Sequence, residues 1–435
     1  MANASYDVLI IGAGAAGLAA AVELARAGRS TLVLEARDRI GGRCWSRHIA
    51  GLPSAVELGA EFIHGRPATT LSELREAGSA SVDAPCERWI VQDGTLVPRD
   101  DFFAEIRAAM LERRIHAARD VSFDAYLARE LRFRISERAL AFARMMVEGY
   151  DAADPVRASA RVIIGEWTNE GAGTSLSRPL DGYGALLAHL AARAGPVRLQ
   201  TVVRTVRWRR GSVEIDAVSF GTAFRATAPR AIITLPIGVL QVPAGSPGAV
   251  RFTPVLKEKR AALGGLAAGP VIKIALHFRA AFWEDLDRGR YRDATFFHAP
   301  GAAFPTFWTA LPVRVPLLVA WSGGPNAARH AAGAQVSELV RQALISLRAI
   351  FGERARAESL LTAAYLHDWQ HDLFAHGAYS YVTVGGEHAR QTLAANLKDT
   401  LYFAGEATDL EGEAGTVAGA LQSGRRAARE AMGTL

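Results

Sequence analysis

The chain has 435 residues, of which 50% are hydrophobic and 22% are charged, so it is long enough to form two domains with large cores. Its net charge of +6 is spread along the sequence without a block of like charges, which argues against a nucleic-acid partner. The two cysteines, Cys44 and Cys86, form no C-x-x-C pair. This argues against a disulfide framework, a dithiol centre and a metal site, and it favours a reducing, cytoplasmic setting.

The predicted elements begin with a β-α-β unit. A strand at 6–11 leads through a glycine turn into an alanine-rich helix at 15–27, and a second strand follows at 31–35. Residues 101–148 are predicted to form a helical subdomain, because neither Gly nor Pro interrupts a pattern dominated by Ala, Leu, Arg and Glu. No apolar segment is long enough to cross a bilayer and no export signal precedes the first strand, so we expect no membrane partner.

The remaining elements mix strands and helices and then return to the opening pattern. They comprise a helix at 185–194, strands at 197–208, 212–216, 231–235, 271–278 and 317–321, a helix at 334–351, and a strand, glycine loop and helix over 401–432. Nucleotide-binding patterns at both ends predict an α/β fold with a Rossmann-like, doubly wound domain that is discontinuous in sequence. We place this domain at 1–76, 178–255 and 390–435, with an inserted α+β domain at 77–177 and 256–389.

A dinucleotide site is predicted at the first turn. Gly12, Gly14 and Gly17 form G-x-G-x-x-G between a strand and a helix, and Glu35 ends the next strand. The first glycine permits the turn, the second lets the backbone approach a pyrophosphate, and the third lets the helix pack on the strand. Glu35 can accept hydrogen bonds from ribose hydroxyls and would repel a 2′-phosphate, so NADP is disfavoured while NAD and FAD stay open.

The next residues favour FAD. Residues 35–43 read E-A-R-D-R-I-G-G-R, which resembles the second flavin motif of the flavin amine oxidase superfamily of monoamine oxidases, polyamine oxidases and flavin-type histone demethylases. Physically, Gly41 and Gly42 let the chain pass close to a cofactor, and Arg43 can fork onto a phosphate.

The resemblance continues in matching order over most of the chain and is closest to polyamine oxidases. The matching segments are V-E-L-G-A-E-F-I-H-G at 56–65, Val203, T-L-P-I-G-V-L at 234–240, V-I-K-I-A-L-H-F-R-A-A-F-W at 271–283, Trp369, G-A-Y-S-Y-V-T-V-G at 377–385, Y-F-A-G-E-A-T at 402–408 and G-T-V-A-G-A-L-Q-S-G at 415–424. It implies an FAD-binding domain and an inserted substrate-binding domain.

The resemblance also implies which residues bind FAD. These are Gly12, Gly14, Ala16, Gly17, Glu35, Ala36, Arg37, Gly42, Arg43, Gly59, Ala60, Val203, Gly405, Glu406, Thr416 and Val417. A helix beginning after Gly415 could aim its N-terminus at the flavin and stabilise the anion formed on reduction, although a plain amphipathic helix explains the spacing as well. The cysteine that attaches flavin in monoamine oxidases would fall at Ala378, so FAD is expected to be non-covalent.

Lys273, Tyr379, Trp369 and Thr416 are candidate catalytic residues. Lys273 lies in an apolar strand, where a buried ammonium is costly and often functional, and the family implies that it holds a water near flavin N5. The alternative is a lysine that reaches the surface from an edge strand. Tyr379 is implied to form an aromatic wall over the substrate, while Thr416 falls where monoamine oxidases carry a second aromatic residue.

Glu61 and His64 are candidate substrate contacts. Resembling polyamine oxidases usually carry a small neutral residue at the place of Glu61, so an acidic, pH-tuned rim that attracts and deprotonates an ammonium is one hypothesis. The alternatives are a structural ion pair between Glu61 and an arginine, and a core position for His64.

The function implied is that of an FAD-dependent amine oxidase. A neutral primary or secondary amine, possibly a polyamine, would lose a hydride to flavin N5, the imine would hydrolyse to an aldehyde, and O2 would become hydrogen peroxide. A flavin-dependent desaturase or dehydrogenase with another acceptor, and a flavin-bound interaction protein, stay open. An L-amino-acid oxidase is disfavoured because Phe62 stands where a carboxylate-binding arginine is expected, although Arg66 is near. The sequence leaves open whether the protein is a monomer or a homodimer.

Overall fold

The computed structural model describes residues 6–85, 87–98, 102–112, 120–169 and 175–433, so Cys86 lies outside the described residues. Within these ranges, five parallel strands form a sheet at the nucleotide-binding end. Because both faces of this sheet are covered, its central strands are continuous apolar runs such as V-L-I-I. In spatial order the strands are Val197–Arg198, Thr31–Leu34, Val8–Ile11, Arg230–Ile233 and Leu401–Phe403.

The parallel sheet is the middle of three layers. On one face, Val8 and Ile10 pack against the helices Ala15–Arg26, Gly184–Arg193 and Val417–Met432. On the other face, Leu9 and Ile11 pack against a second sheet. A sheet thus covers the face where a doubly wound fold would carry helices. The order of the covering strands is Thr222–Ala228, Ser212–Ser219, Thr201–Arg209 and Arg251–Thr253.

A larger sheet, which we call the cavity sheet, is the second centre of the fold. Its core is rich in Phe and Trp and packs against Val336–Phe351. The seven strands found among the described residues run in the order Leu361–Asp368, Val271–Phe278, Leu317–Gly323, Thr306–Thr309, Phe296–His298, Arg88–Gln92 and Thr95–Pro98. The division into two domains and its boundaries stay a prediction.

Smaller sheets and helices connect these layers. The short strands pair as Ile63–His64 and Ser81–Asp83 with Leu176–Pro179, Leu266–Ala268 with Ser380–Val382, and Ser46–Arg47 with Val56–Glu57. The other helical segments are Ala68–Glu76, Phe102–Glu112, Phe123–Tyr126, Leu127–Leu131, Glu137–Gly149, Ala160–Thr168, Ile237–Gln241, Lys257–Leu263, Phe282–Glu284, Leu286–Arg288, Gly324–Ala331, Glu353–Ala355, Ala357–Leu360, Ala389–Ala394 and Glu406–Thr408. In the part of the chain that the structure describes, none of the helices is both long and apolar enough to span a membrane.

Two predicted elements differ from the structure for local reasons. The strand expected at 197–208 is divided between two sheets, and Gln200, with φ of 47°, lies at the break. The helical pattern of 101–148 contains separate helices, because Ser122 and Ser136 accept hydrogen bonds from the backbone N–H groups of Ala125 and Ala139. Such N-caps begin a new helix even where neither Gly nor Pro breaks the pattern.

Substituting Gly424 tests the packing of the first helix on the last. A β-carbon at Gly424 would lie 2.2 Å from the carbonyl oxygen of Ala16, so Gly424→Ala should lower the free energy of unfolding by at least about 2 kcal/mol. Gly165→Ala is the matched control, because no atom lies within 4 Å of its added carbon and the helix gains up to about 1 kcal/mol. Urea unfolding of both variants measures the difference, and equal stabilities would contradict the packing.

Candidate active site

One cavity of about 1600 Å³ connects the glycine turn with the cavity sheet. Pockets for a single small ligand usually measure about 300–1000 Å³, so this one can hold a dinucleotide and a substrate together. Of the predicted site residues, all except Gly17 line it: Gly12, Gly14, Ala16, Glu35, Ala36, Arg37, Gly42, Arg43, Gly59, Ala60, Glu61, His64, Val203, Lys273, Trp369, Tyr379, Gly405, Glu406, Thr416 and Val417.

The glycine turn leaves space on its cavity side. Gly12 has φ of 108°, and a β-carbon at Gly17 would lie 1.9 Å from the carbonyl oxygen of Gly12, so Gly17 serves the packing behind the turn. At Gly14 the added carbon would have no protein atom closer than 3.9 Å. The open side of Gly14, together with the N-terminus of the first helix, fits the phosphates of a dinucleotide.

Glu35 is held by the turn and keeps capacity to bind a ribose. Its Oε2 accepts from the backbone N–H of Ala13 at 2.7 Å and its Oε1 from that of Arg37 at 2.9 Å. Burial raises the pKa of the Glu35 carboxyl, while these two N–H groups oppose the shift. A carboxylate has about four acceptor positions, so two stay available for ribose hydroxyls.

Arg43, which is partly exposed, and Glu406, which is buried, form an ion pair. Nη1 of Arg43 lies 2.9 Å from Oε1 of Glu406 and also donates to the backbone oxygen of Ala378, while Ser380 donates to Glu406 Oε2 at 2.7 Å. Burial alone would raise the pKa of Glu406, but the charges of Arg43 and Arg390 lower it below its usual value. The pair therefore places a fixed cation and a fixed anion at the cavity wall.

Arg37 reaches away from the nucleotide turn toward the cavity sheet. Its guanidinium donates to both oxygens of Asp372 at 2.7 and 2.6 Å, and His367 Nε2 lies 2.7 Å from the same carboxylate. Although burial opposes it, hydrogen bonds from His367 and Arg37 hold the pKa of Asp372 well below its usual range. His367 is the partner of Lys273 in the register of adjacent strands, so this network joins the two ends of the cavity.

Lys273 is buried at the cavity wall. Its strand Val271–Phe278 pairs on both sides, and its side chain is 2% exposed, so the alternative of a lysine reaching the surface from an edge strand is wrong. Nζ donates to Glu61 Oε2 at 2.7 Å and to the backbone oxygen of Gly59 at 3.0 Å.

Glu61 forms an ion pair with an arginine, Arg178, which was one of its two predicted roles. It also forms a second ion pair, with Lys273. Arg178 Nη1 and Trp308 Nε1 each donate to its Oε1 at 3.0 Å, while Lys273 binds the other oxygen. Burial would raise the pKa of Glu61, but Lys273 and Arg178 lower it. A carboxylate bound by two cations does not form the acidic rim that we expected beside His64.

His64 lines the cavity as an uncharged ring. Its centroid lies 5.3 Å from that of Tyr150 and 6.3 Å from that of Phe62. Burial, and secondarily the charge of Arg88, lower the pKa of His64 to about 4. The ring is therefore neutral at pH 7, which leaves it available as a contact for a neutral ligand.

Tyr379 lines the cavity, and its hydroxyl donates to the backbone oxygen of Tyr150 at 2.6 Å. Thr416 instead caps the last helix, because its Oγ1 accepts from Gly419 N at 3.1 Å and donates to Glu413 O at 2.6 Å. Trp369 is buried, and its Nε1 donates to the backbone oxygen of Leu58 at 2.8 Å.

Sequence reasoning missed several residues of this site. Tyr150, Asp151, Glu166, Trp308 and Trp321 line the cavity, and Arg178 binds Glu61 from behind it. The paired aromatic pattern of 307–308 and the buried polar strand of 176–179 were the available signals, but neither indicates which cavity its side chains approach.

The parallel sheet, the glycine turn and the elongated cavity define a dinucleotide-binding protein. Residues 15–432 match the family model described as flavin containing amine oxidoreductase, and the chain belongs to this family. The membership confirms the family resemblance seen in the sequence and the expectation of FAD as cofactor.

Individual relatives agree with this assignment. Lysine-specific histone demethylase 2 of Homo sapiens is 29% identical over 97% of this chain and 53% of its own length. Polyamine oxidase 2 of Arabidopsis thaliana is 28% identical over 99% of this chain and 89% of its own length. The chain thus spans about half the length of the demethylases that it matches.

Solved structures confirm the Rossmann-like α/β fold class. Putrescine oxidase bound to putrescine superposes with a TM-score of 0.82 at 21% identity and covers 99% of both chains. Cyclohexylamine oxidase from Brevibacterium oxydans IH-35A gives a TM-score of 0.80 at 21% identity, over 98% of this chain and 99% of the other. At this level of identity the likeness concerns the fold.

Replacing Glu35 tests the nucleotide end of the cavity. Glu35→Ala removes the acceptor for two backbone N–H groups and for a ribose, so the dissociation constant of FAD should rise roughly 10- to 100-fold. Fluorescence titration of the flavin-free protein with FAD measures the change. The control is Asp38→Ala, an exposed acid three positions on, which should leave the affinity unchanged. Equal affinities for both variants would count against the assignment.

Proposed function

We propose that this chain is an FAD-dependent amine oxidase that binds its flavin non-covalently. The observation that carries the proposal is a single cavity that joins a dinucleotide turn to the buried Lys273 and to the aromatic ring of Tyr379. FAD, when bound, accepts a hydride from the α-carbon of an amine and passes both electrons to O2, so that an imine and hydrogen peroxide result. Water then hydrolyses the imine to an aldehyde and releases ammonia or an amine.

The residues around the cavity supply binding and electrostatics. The last helix begins at Thr416 with its N-terminus toward the cavity, where a helix end favours negative charge. Tyr379 and Tyr150 offer aromatic surface to the alkyl part of an amine, and His64 offers a neutral nitrogen to its amino group. Ala378 has no nucleophile for attachment, which supports a non-covalent flavin.

Two competing activities receive less support. An L-amino-acid oxidase needs a cation for the substrate carboxylate, but Arg178 donates to Glu61 and to the backbone oxygen of Thr309, and Arg66 pairs with Asp83 at 2.8 Å. A desaturase acting on carbon–carbon bonds would not require the polar side chains of His64, Asp151 and Glu166 that line this cavity. The demethylase and polyamine oxidase relatives both act, by their names, on amine-bearing substrates.

A substrate panel tests the activity directly. Under anaerobic conditions, a primary or secondary amine should bleach the flavin absorbance, and adding O2 should restore it with one hydrogen peroxide per flavin. Denaturation with acid should release FAD into the supernatant. A chain that keeps its flavin but is bleached by no amine or amino acid would instead favour a dehydrogenase with another substrate or a binding role.

Two acidic side chains of the cavity, Asp151 and Glu166, favour diamines among the amine substrates. Asp151 and Glu166 line the cavity near Tyr150. Burial is the largest cause of the raised pKa of Tyr150, and the charges of Asp151 and Glu166 raise it further. The accessible surface of Glu166 faces the cavity, which it lines. The surrounding protein still raises the pKa of its carboxyl through burial. Burial and the charge of Glu166 raise the pKa of Asp151 well above its usual value. A second ammonium bound here would relieve this repulsion.

Comparing substrates of equal chain length tests the diamine site. Glu166→Gln should lower kcat/KM for 1,4-diaminobutane roughly 10- to 100-fold, because a charge-assisted hydrogen bond is lost, and should leave butylamine within about twofold. Glu137→Gln, an exposed glutamate in the helix Glu137–Gly149, is the matched control. Steady-state peroxide production gives kcat/KM for each of the two amines. An equal loss of kcat/KM for both would exclude a specific role for Glu166.

A further inference from the structure

Glu61 joins donors from three separate segments at the cavity wall. Its Oε2 accepts from Lys273 Nζ at 2.7 Å, and its Oε1 accepts from Arg178 Nη1 and Trp308 Nε1 at 3.0 Å each. The side chains of Lys273, Arg178 and Glu61 are 2%, 8% and 11% exposed, so water solvates none of them well. Both oxygens of the carboxylate are occupied by protein donors.

The cluster carries two cations and one anion. Arg178 is fixed on the far side, because it also donates to the backbone oxygen of Thr309 at 3.2 Å and lies 4.7 Å above the ring of Phe62. Lys273 and Glu61 line the cavity. One net positive charge therefore remains at the wall, and the lysine is the cation of the cluster that faces the ligand space.

Stability alone explains this arrangement poorly. Buried ion pairs often contribute no more than well-packed apolar side chains of the same volume, because desolvation offsets their attraction. Without Glu61, the ammonium of Lys273 would keep the backbone oxygen of Gly59 at 3.0 Å and the ring of Trp308 at 5.6 Å. Neither partner carries the charge that offsets the repulsion of Arg178.

We propose that Glu61 is a positioning residue for Lys273, and that Arg178 and Trp308 fix Glu61 in turn. The carboxylate holds the ammonium in one direction and keeps it protonated beside the flavin, rather than contacting substrate. The inference rests on the proposed function only in placing a flavin in this cavity. It replaces the expectation that Glu61 attracts a substrate ammonium.

Two other titratable groups lie near Lys273, and one of them responds to the variants that test this proposal. Glu57, in the strand Val56–Glu57, accepts from Ser46 and from the backbone N–H of Tyr183, and burial raises its pKa to about 7. The charge of Lys273 lowers this pKa and the charge of Glu61 raises it, so each variant is measured in a Glu57→Gln background, where this carboxyl no longer titrates. His367 lies opposite Lys273 and pairs with Asp372.

The test measures the midpoint potential of the bound flavin from pH 6 to 9. Glu61→Gln keeps the shape but leaves two cations on a neutral amide, so Lys273 should release its proton within this range. In the Glu57→Gln background, the potential should then show a proton-linked step that the same background with Glu61 intact lacks, and the rate constant of flavin reoxidation by O2 should fall at least about tenfold above the step. Glu61→Asp, which retains the charge, should restore most of the wild-type behaviour.

Two comparisons test whether Lys273 causes the proton-linked step in the flavin potential. The step should disappear in the double variant Glu61→Gln with Lys273→Met. Trp308→Phe, which removes a neutral donor from Glu61 Oε1 while Lys273 keeps Oε2 and Arg178 keeps Oε1, should show none. A potential in Glu61→Gln that follows the background with Glu61 intact at every pH, or a step that persists without Lys273, overturns the proposal. Because dithionite and a reference dye reduce the flavin, the result does not depend on turnover of any amine, and a failure of the proposed activity is seen separately.

Discussion

The first and last helices lie so close that a single β-carbon at Gly424 would meet the carbonyl oxygen of Ala16 at 2.2 Å. This contact sets the geometry of the nucleotide end, because one helix begins just after Gly14 and the other at Thr416. Both residues line the same cavity, so two positive helix ends point into it. The parallel sheet, the turn and the cofactor space all depend on backbones that approach without side chains between them.

Backbone demands of this kind are what made the nucleotide end predictable from sequence. At Gly12 and Gly17 a side chain would clash or require an unfavourable φ, so few residue types fit and the pattern is legible. The partners of Glu61 carry no such local signal. Arg178 is 117 positions away and Trp308 is 247 positions away, and their contacts follow from how strands stack rather than from spacing. The acid and Lys273 were each recognisable as unusual, whereas Arg178 and the contacts among the three residues were not.

Two ion pairs place charge of both signs at the cavity wall. Arg43 pairs with Glu406 across 363 positions, and Lys273 pairs with Glu61 across 212. An unpaired ion in either place would cost several kcal/mol, so each pair disfavours arrangements of the chain that separate its members. Such pairs add specificity to a fold that apolar packing stabilises, and they leave fixed charges at the surface that a cofactor and a substrate meet.

Asp372 gives the cavity a further property. It receives Arg37, two residues beyond the ribose-facing Glu35, and His367, which lies beside Lys273 in the neighbouring strand. A single carboxylate thus binds an arginine close to the glycine turn and a histidine opposite the buried lysine. A nucleotide that ordered Arg37 would therefore also restrain the strand next to the lysine, and by thermodynamic reciprocity a ligand that ordered the lysine strand would tighten nucleotide binding by the same free energy.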